Sequence, residues 1–186
     1  VEREKLEKLR RTVRLAPTNI YDLEVIIVED KAVIEELGDM GRKGIRRMYW
    51  LFYRNPLGYT FLKRFKRFSR AVNDIDRRKV FNSIEKGSTN LHGAPVLIVL
   101  TGDPWVGFAK ISAHYALYNI ILTAQTLGLG SCISGNSTIF FGRNSRAREL
   151  LGMSEDRSIL AVLEVGYPAV RFRNSVEGNH PAVRWI

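Results

Sequence analysis

Three short runs of apolar, largely β-branched residues constrain the fold of this chain more than any other feature. They are "LEVIIVED" at 23–30, "APVLIVLTG" at 94–102 and "SILAVLEVGYP" at 158–168. Runs of this length and composition predict buried strands. Helical patterns lie between them, so the sequence predicts an α/β or α+β sandwich built around one sheet.

Amphipathic patterns predict the helices. Leu6, Leu9 and Val13 recur at helical spacing over 2–15, and Pro17 ends that helix because proline restricts the residue before it. Asp30 is placed to cap a second helix over 31–40. The longest helix is predicted over 109–127. A short one is predicted in "NSRARELLG" (144–152), between an Asn/Ser start and a Gly stop.

Three glycines lie just after the longest predicted helix, in "GLGSCISG" (128–135). They form no dinucleotide loop, because Ile133 stands where the third glycine should be and the cluster follows a helix instead of opening one. A Gly-Lys-Ser/Thr phosphate loop is absent as well. Gly128 or Gly130 is therefore predicted to end the helix at positive φ and turn the chain into a strand. A backbone amide at Ser134 or Gly135 could then face a ligand closely.

The cysteine and histidine content limits the chemistry. With one cysteine, the chain forms no internal disulfide and no cysteine cluster for a metal, and its three histidines lack metal-ligand spacing. Cys132 is expected to be a small buried apolar side chain with no neighbour to activate its thiol. No signal peptide or membrane-spanning run is evident. A single domain over 1–186 in the cytoplasm is expected.

A basic aromatic segment carries the charge imbalance of the chain. The net charge is +10, and ten Lys/Arg with no Asp or Glu lie between Gly41 and Asn73, among eight aromatic residues. "NPLG" predicts a turn that splits this insertion, at about 41–73, into two helices. Three interpretations follow from the residues alone and remain open: an amphipathic hairpin with solvated cations, a helix in a membrane interface, and a surface for single-stranded nucleic acid.

The order of several motifs resembles the FMN-dependent nitroreductase family. The motifs are "LAPT" (15–18), "HGAPVLIVLTG" (92–102), "SAHYALYNIILTAQTLGLGSCISG" (112–135), "RELLG" (148–152), "VGYP" (165–168) and a terminal Trp185. The resemblance implies a three-layer α+β sandwich around a mostly antiparallel sheet. It further implies a homodimer with two FMN molecules at its interface. Because the region between the first strand and the long helix often covers the flavin in that family, the segment at 41–73 could also be a lid.

The resemblance also implies site residues. The backbone at Cys132, Ile133, Ser134 and Gly135 would hold the flavin ring near N5, and Arg171 and Arg173 would bind the phosphate. "RRTVR" adds Arg10, Arg11, Thr12 and Arg14, and "LAPT" adds Pro17 and Thr18 facing the flavin of the partner subunit. From the residues alone, Arg10, Arg11, Thr12 and Arg14 could equally form the polar face of a helix. Arg171 and Arg173 could equally belong to a solvated tail.

The implied activity is an FMN-dependent oxidoreductase with ping-pong kinetics. NAD(P)H or an acidic protein donor would reduce the flavin, which would then reduce a small acceptor such as a nitroaromatic compound or a quinone. No side chain is expected to act as an essential acid. A non-catalytic flavin-binding protein, or a basic protein that binds membrane or nucleic acid on the same scaffold, is the alternative.

Two features depart from the family pattern. "RRTVR" runs directly into "LAPT", without the helix that normally separates these motifs, and no Gln follows "LAPT". Both differences predict that segments near the N-terminus are missing from this chain.

Overall fold

The computed structural model describes residues 1–17, 22–57, 60, 64, 91–170, 182, 184 and 185. The helices are α1 (Arg3–Thr12), α2 (Lys31–Tyr49), α3 (Ala109–Thr126), α4 (Gly135–Gly142) and α5 (Ser145–Leu150). A 3-10 turn (Val13–Leu15) extends α1, and a π turn (Trp50–Arg54) extends α2. The strands are β1 (Glu24–Val28), β2 (Val96–Gly102), β3 (Gly130–Ile133) and β4 (Ser158–Gly166). All three predicted apolar runs are therefore strands.

The described strands form one sheet in the order β1-β2-β4-β3. Every neighbouring pair is antiparallel, with Ile26 opposite Val99, Val99 opposite Val162, and Cys132 opposite Glu164. β2 and β4 occupy the interior of the sheet, which explains why they read as continuous apolar runs. β3 lies at an edge.

Helices cover both faces of the sheet. On one face, α1 and α3 pack through a core that includes Leu9, Ala116, Ile120 and Leu163. On the other, α2, α4 and α5 pack on Leu97, Val99, Val162 and their neighbours. Side chains alternate between the faces of a strand, so β2 and β4 contribute to both cores. The nitroreductase-like three-layer sandwich predicted from the sequence is confirmed.

The predicted helix ends are confirmed at three places. Asp30 accepts hydrogen bonds from the amides of Ala32 and Val33, and Asn144 caps α5 in the same way. At the end of α3, Gly128 has φ +73°. Gly128 N–H donates to Gln125 O, and Leu129 N–H donates to Ala124 O. This is the paired hydrogen bonding of a glycine-terminated helix, and it turns the chain into β3.

The second helix is longer than the sequence predicts. It was expected to end at Met40, with a separate basic insertion from about 41, but α2 continues without a break to Tyr49. Gly41 is buried, and a Cβ at Gly44 would lie only 2.7 Å from Phe140 Cδ1 on α4. Gly44 therefore packs closely on α4 from inside the helix, although glycine is an unfavourable residue in a helix interior. The predicted turn begins as expected, since Asn55 Oδ1 accepts a hydrogen bond from Leu57 N–H.

No helix among the described residues combines the length and the apolar character needed to cross a membrane.

Candidate functional site

The turn at Gly128 places β3 along the edge of the sheet beside α3. Ile133 pairs with Leu163, whose side chain belongs to the core under α3, so Ile133 lies on the α3 face. Cys132 pairs with Glu164 and lies on the opposite face. Of the residues that the resemblance assigns to the flavin ring, Ile133 thus faces the α3 side of the sheet and Cys132 faces the opposite side.

Backbone donors at the end of β3 are divided between the sheet and its outer edge. The Ser134 N–H donates to Val162 O at 2.9 Å and is therefore used inside the sheet. Inward and outward amides alternate along an antiparallel strand, so the Ile133 N–H is directed to the outer edge. α4 begins at Gly135, and the Ser134 side chain does not cap it. The Ser134 hydroxyl lies 2.6 Å from that of Ser137 instead.

An open, largely apolar groove of about 590 Å³ runs beside this edge. Its lining residues come from α3 and the end of β3: Lys110, Ile111, His114, Tyr115, Leu117, Tyr118, Ile121 and Ile133. A groove of this size and character accommodates a small organic molecule. Its polar side chains are Lys110, His114, Tyr115 and Tyr118, and His114 Nδ1 lies 2.6 Å from Lys110 O.

The end of the first helix, which carries the predicted basic residues, contacts α3. Asn119 Nδ2, on α3, donates to Thr12 O at 3.5 Å, which ties the end of α1 to the middle of α3. Arg10 donates to Glu7 at 2.8 Å, and this hydrogen bond lowers the pKa of Glu7 and raises the pKa of Arg10. Arg11 and Arg14 are exposed and form no ion pair with the described acidic side chains. They are the two cations of this group that remain available to an anion.

The remaining predicted site residues are only partly described. Pro17 is exposed, whereas Thr18, Arg171 and Arg173 lie outside the described residues. Tyr167 directly follows β4 and precedes those arginines, and Lys5 Nζ on α1 donates to its hydroxyl at 2.7 Å. This contact brings the start of α1 to the end of β4.

Cys132 differs from its sequence expectation. It is free and exposed, not buried, because β3 is an edge strand. Partial burial of its thiol, and then the Glu164 carboxylate, raise the pKa of Cys132. Both effects disfavour the thiolate, in agreement with the expectation that nothing activates this cysteine.

Sequence reasoning missed two features around the site. One is the outward side of α3, where Ile111, Tyr115, Tyr118 and Leu122 are exposed. Their spacing repeats every three to four residues, so a second apolar stripe on this helix was the available signal. The other is Glu164, a buried carboxylate in an apolar strand, whose partner His92 comes from the distant segment before β2.

The groove offers apolar walls, and the outer edge of β3 offers an amide donor. Arg11 and Arg14 are exposed cations, and neither is among the described residues that line the groove. Among the described residues, no group of His, Cys, Asp and Glu side chains is placed to hold a metal ion.

Comparisons with known proteins identify relatives of this chain. The sequence model of the nitroreductase family matches residues 1–167. A nitroreductase with bound FMN from Desulfitobacterium hafniense is 20% identical, with a TM-score of 0.68 over 96% of this chain and 84% of that one. An FMN-dependent nitroreductase from Clostridium difficile is also 20% identical, with a TM-score of 0.68 over 99% and 89%. A nitroreductase with bound FMN from Bacteroides fragilis is 16% identical, with a TM-score of 0.65 over 98% and 88%. No curated protein sequence matches the chain.

Proposed function

The chain belongs to the nitroreductase family, and we propose that it is an FMN-dependent oxidoreductase whose cofactor lies beside α3 and the end of β3. The observation that carries this proposal is the groove between them, with its outer-edge amide at Ile133. FMN is the proposed cofactor because solved structures with the same fold contain it.

Each part of the proposed cofactor meets a suitable group of the chain. The apolar walls formed by Tyr118, Ile121 and Ile133 suit a planar ring. The Ile133 amide is a hydrogen-bond donor for a ring nitrogen, and the exposed Arg11 and Arg14 are donors for the phosphate. Arg171 and Arg173 stay predicted phosphate ligands. Bound FMN would supply the redox chemistry, while the chain positions the ring and excludes water.

The proposed reaction has two half-reactions at one site. NAD(P)H, or an acidic protein donor, reduces the cofactor, and a small acceptor such as a nitroaromatic compound or a quinone oxidises it. The openness of the groove supports this order, because donor and acceptor would use the same face in turn. We place the protein in the cytoplasm, since an exposed free thiol such as that of Cys132 persists in reducing compartments.

We also propose that the protein is a homodimer. Ile111, Tyr115, Tyr118 and Leu122 expose apolar surface along α3, and Tyr118 is 60% exposed. Ile133, from β3, continues the patch. A contiguous apolar patch of this kind marks an interface. A second copy seated there would close the groove and complete the cofactor site.

The decisive test is the visible absorption spectrum of the purified protein, followed by that of the supernatant after heat denaturation. We expect flavin bands that bleach with NAD(P)H and reappear on addition of a quinone. Bands that resist NAD(P)H would favour the protein donor. A colourless protein that fails to bind added FMN would overturn the proposal. Sedimentation at several concentrations tests the dimer, and the Tyr118→Asp variant should shift it towards monomer.

A further inference from the structure

The second half of α2 carries an exposed surface that the oxidoreductase function does not use. The first half packs on the core through Ile34 and Leu37, but from Arg46 onwards the helix lies largely outside the body of the protein. Its exposed residues, with those of the π turn, are here called the basic–apolar strip: Lys43, Arg46, Arg47, Met48, Trp50, Leu51 and Arg54.

The cations of the strip have no acidic partner among the described residues, whereas two cations on other helices do. Lys8 pairs with Glu4 at 2.8 Å, and Arg146 pairs with Glu149 at 2.9 Å. No Asp or Glu occurs between Gly41 and Asn73. Lys43, Arg46, Arg47 and Arg54 form no ion pair with any described acidic side chain. Four positive charges on one helical surface, with no counter-charge among the described acidic side chains, favour an external anion.

Large apolar side chains are interleaved with these cations. Trp50 is 58% exposed, and Met48 and Leu51 are about 40% exposed. Residues three and four apart are neighbours on a helix, so Trp50 shares a helical face with Arg46 and Arg47. Leu57, just beyond the turn, is 81% exposed. Exposed surface of this kind costs free energy in water unless something covers it.

We propose that the basic–apolar strip docks on the surface of an anionic lipid bilayer. The cations would contact lipid phosphates, while Trp50, Met48 and Leu51 enter the headgroup region. Tryptophan among arginines is the composition of helices that lie in that interface. Single-stranded nucleic acid would use the charge and the indole but would leave Met48 and Leu51 uncovered. A bilayer covers all of these groups together. The proposal is independent of the cofactor site.

The test is binding of the full chain to vesicles of phosphatidylcholine, with and without phosphatidylglycerol, measured by co-sedimentation at low and high salt. We expect binding only with phosphatidylglycerol, weakened by salt. R46E/R47E should weaken it roughly tenfold or more, because each basic residue near an anionic surface contributes measurably to affinity. R3E/R143E, the same charge change at two exposed arginines elsewhere, is the matched control and should bind nearly as wild type. Circular dichroism verifies that each variant is folded.

A second measurement tests insertion of the apolar side chains. Brominated lipids should quench a part of the tryptophan fluorescence that disappears in Trp50→Phe and persists in Trp105→Phe, whose indole is 91% exposed in the loop before α3. The proposal is overturned if the wild type does not bind anionic vesicles, or if R3E/R143E weakens binding as much as R46E/R47E does. Unquenched Trp50 on bound vesicles, or binding of a single-stranded oligonucleotide but not of vesicles, also overturns it.

Discussion

His92 Nδ1 lies 2.9 Å from Glu164 Oε2, which joins an exposed imidazole to a carboxylate that is only 3% exposed. The other carboxylate oxygen, Oε1, is buried and has no hydrogen-bond partner among the described residues. Glu164 sits opposite Cys132 on β3 and opposite Leu97 on β2. Among the described residues, His92 is thus the hydrogen-bond partner of the Glu164 carboxylate. Glu164 lies on β4, next to β3, the strand that borders the groove.

His92→Ala should destabilise the fold by roughly 1–3 kcal/mol, because it removes a hydrogen bond to a buried charged group. Urea denaturation at neutral pH measures the change. Glu164→Gln in the same background should recover most of the loss, since an uncharged amide is less costly to bury than an unpaired carboxylate. Equal free energies of unfolding for wild type and His92→Ala would contradict this prediction. They would show that water alone satisfies the hydrogen-bonding capacity of the Glu164 carboxylate.

Asp22 should contribute to loss of stability in acid. Asp103 N–H donates to its Oδ2 at 2.7 Å, and Arg157 Nη1 lies 3.0 Å from its Oδ1. The backbone hydrogen bond from Asp103, and then Arg157, lower the pKa of Asp22. A lowered folded-state pKa gives stability that is present above the unfolded pKa, near 4, and lost as the pH falls through the folded value.

The variant Asp22→Asn should therefore be less stable than wild type at neutral pH by about 1–2 kcal/mol. The gap should narrow between about pH 5 and pH 3, because only the wild type loses the contribution of this carboxylate. Urea unfolding across that range gives the two curves. Curves that stay parallel across this range would contradict the assignment to Asp22.

Arg11→Ala and Arg14→Ala should weaken FMN binding. A charge-assisted hydrogen bond to phosphate is worth about 1.5–3 kcal/mol, so each loss corresponds to roughly a 10- to 100-fold higher Kd. Fluorescence titration of the FMN-free protein measures it. Arg143→Ala, an exposed arginine at the end of α4, is the control and should leave Kd unchanged. If all three variants bind alike, the phosphate ligands lie elsewhere, and Arg171 and Arg173 become the residues to test.

Gly44→Ala should disturb the packing of α2 on α4. Its Cβ would meet the Phe140 ring at 2.7–3.0 Å, closer than side chains pack. Overpacking of this kind costs about 1–3 kcal/mol, against a gain of up to about 1 kcal/mol from replacing a helical glycine. We expect a net loss in thermal unfolding. In a Phe140→Ala background the same change should stabilise the protein, and a loss there as well would exclude the proposed contact.

Local sequence determined the elements whose signal is local. The strands at 24–28, 96–102 and 158–166, the caps at Asp30 and Asn144 and the glycine turn at 128 follow from neighbouring residues, because β-branched runs and capping side chains act within a few positions. The order of motifs also indicated the family, which the family match confirms.

Only the tertiary structure decided where those elements meet. Gly44 of α2 packs against Phe140, nearly a hundred residues away, and the exposure of Cys132 depends on the edge position of β3. Likewise, Glu164 finds His92, and Asp22 finds Arg157, only once the sheet is assembled. Propensity is a short-range property, whereas burial and hydrogen-bond partners are set by packing between distant segments, so no window of sequence could have fixed them.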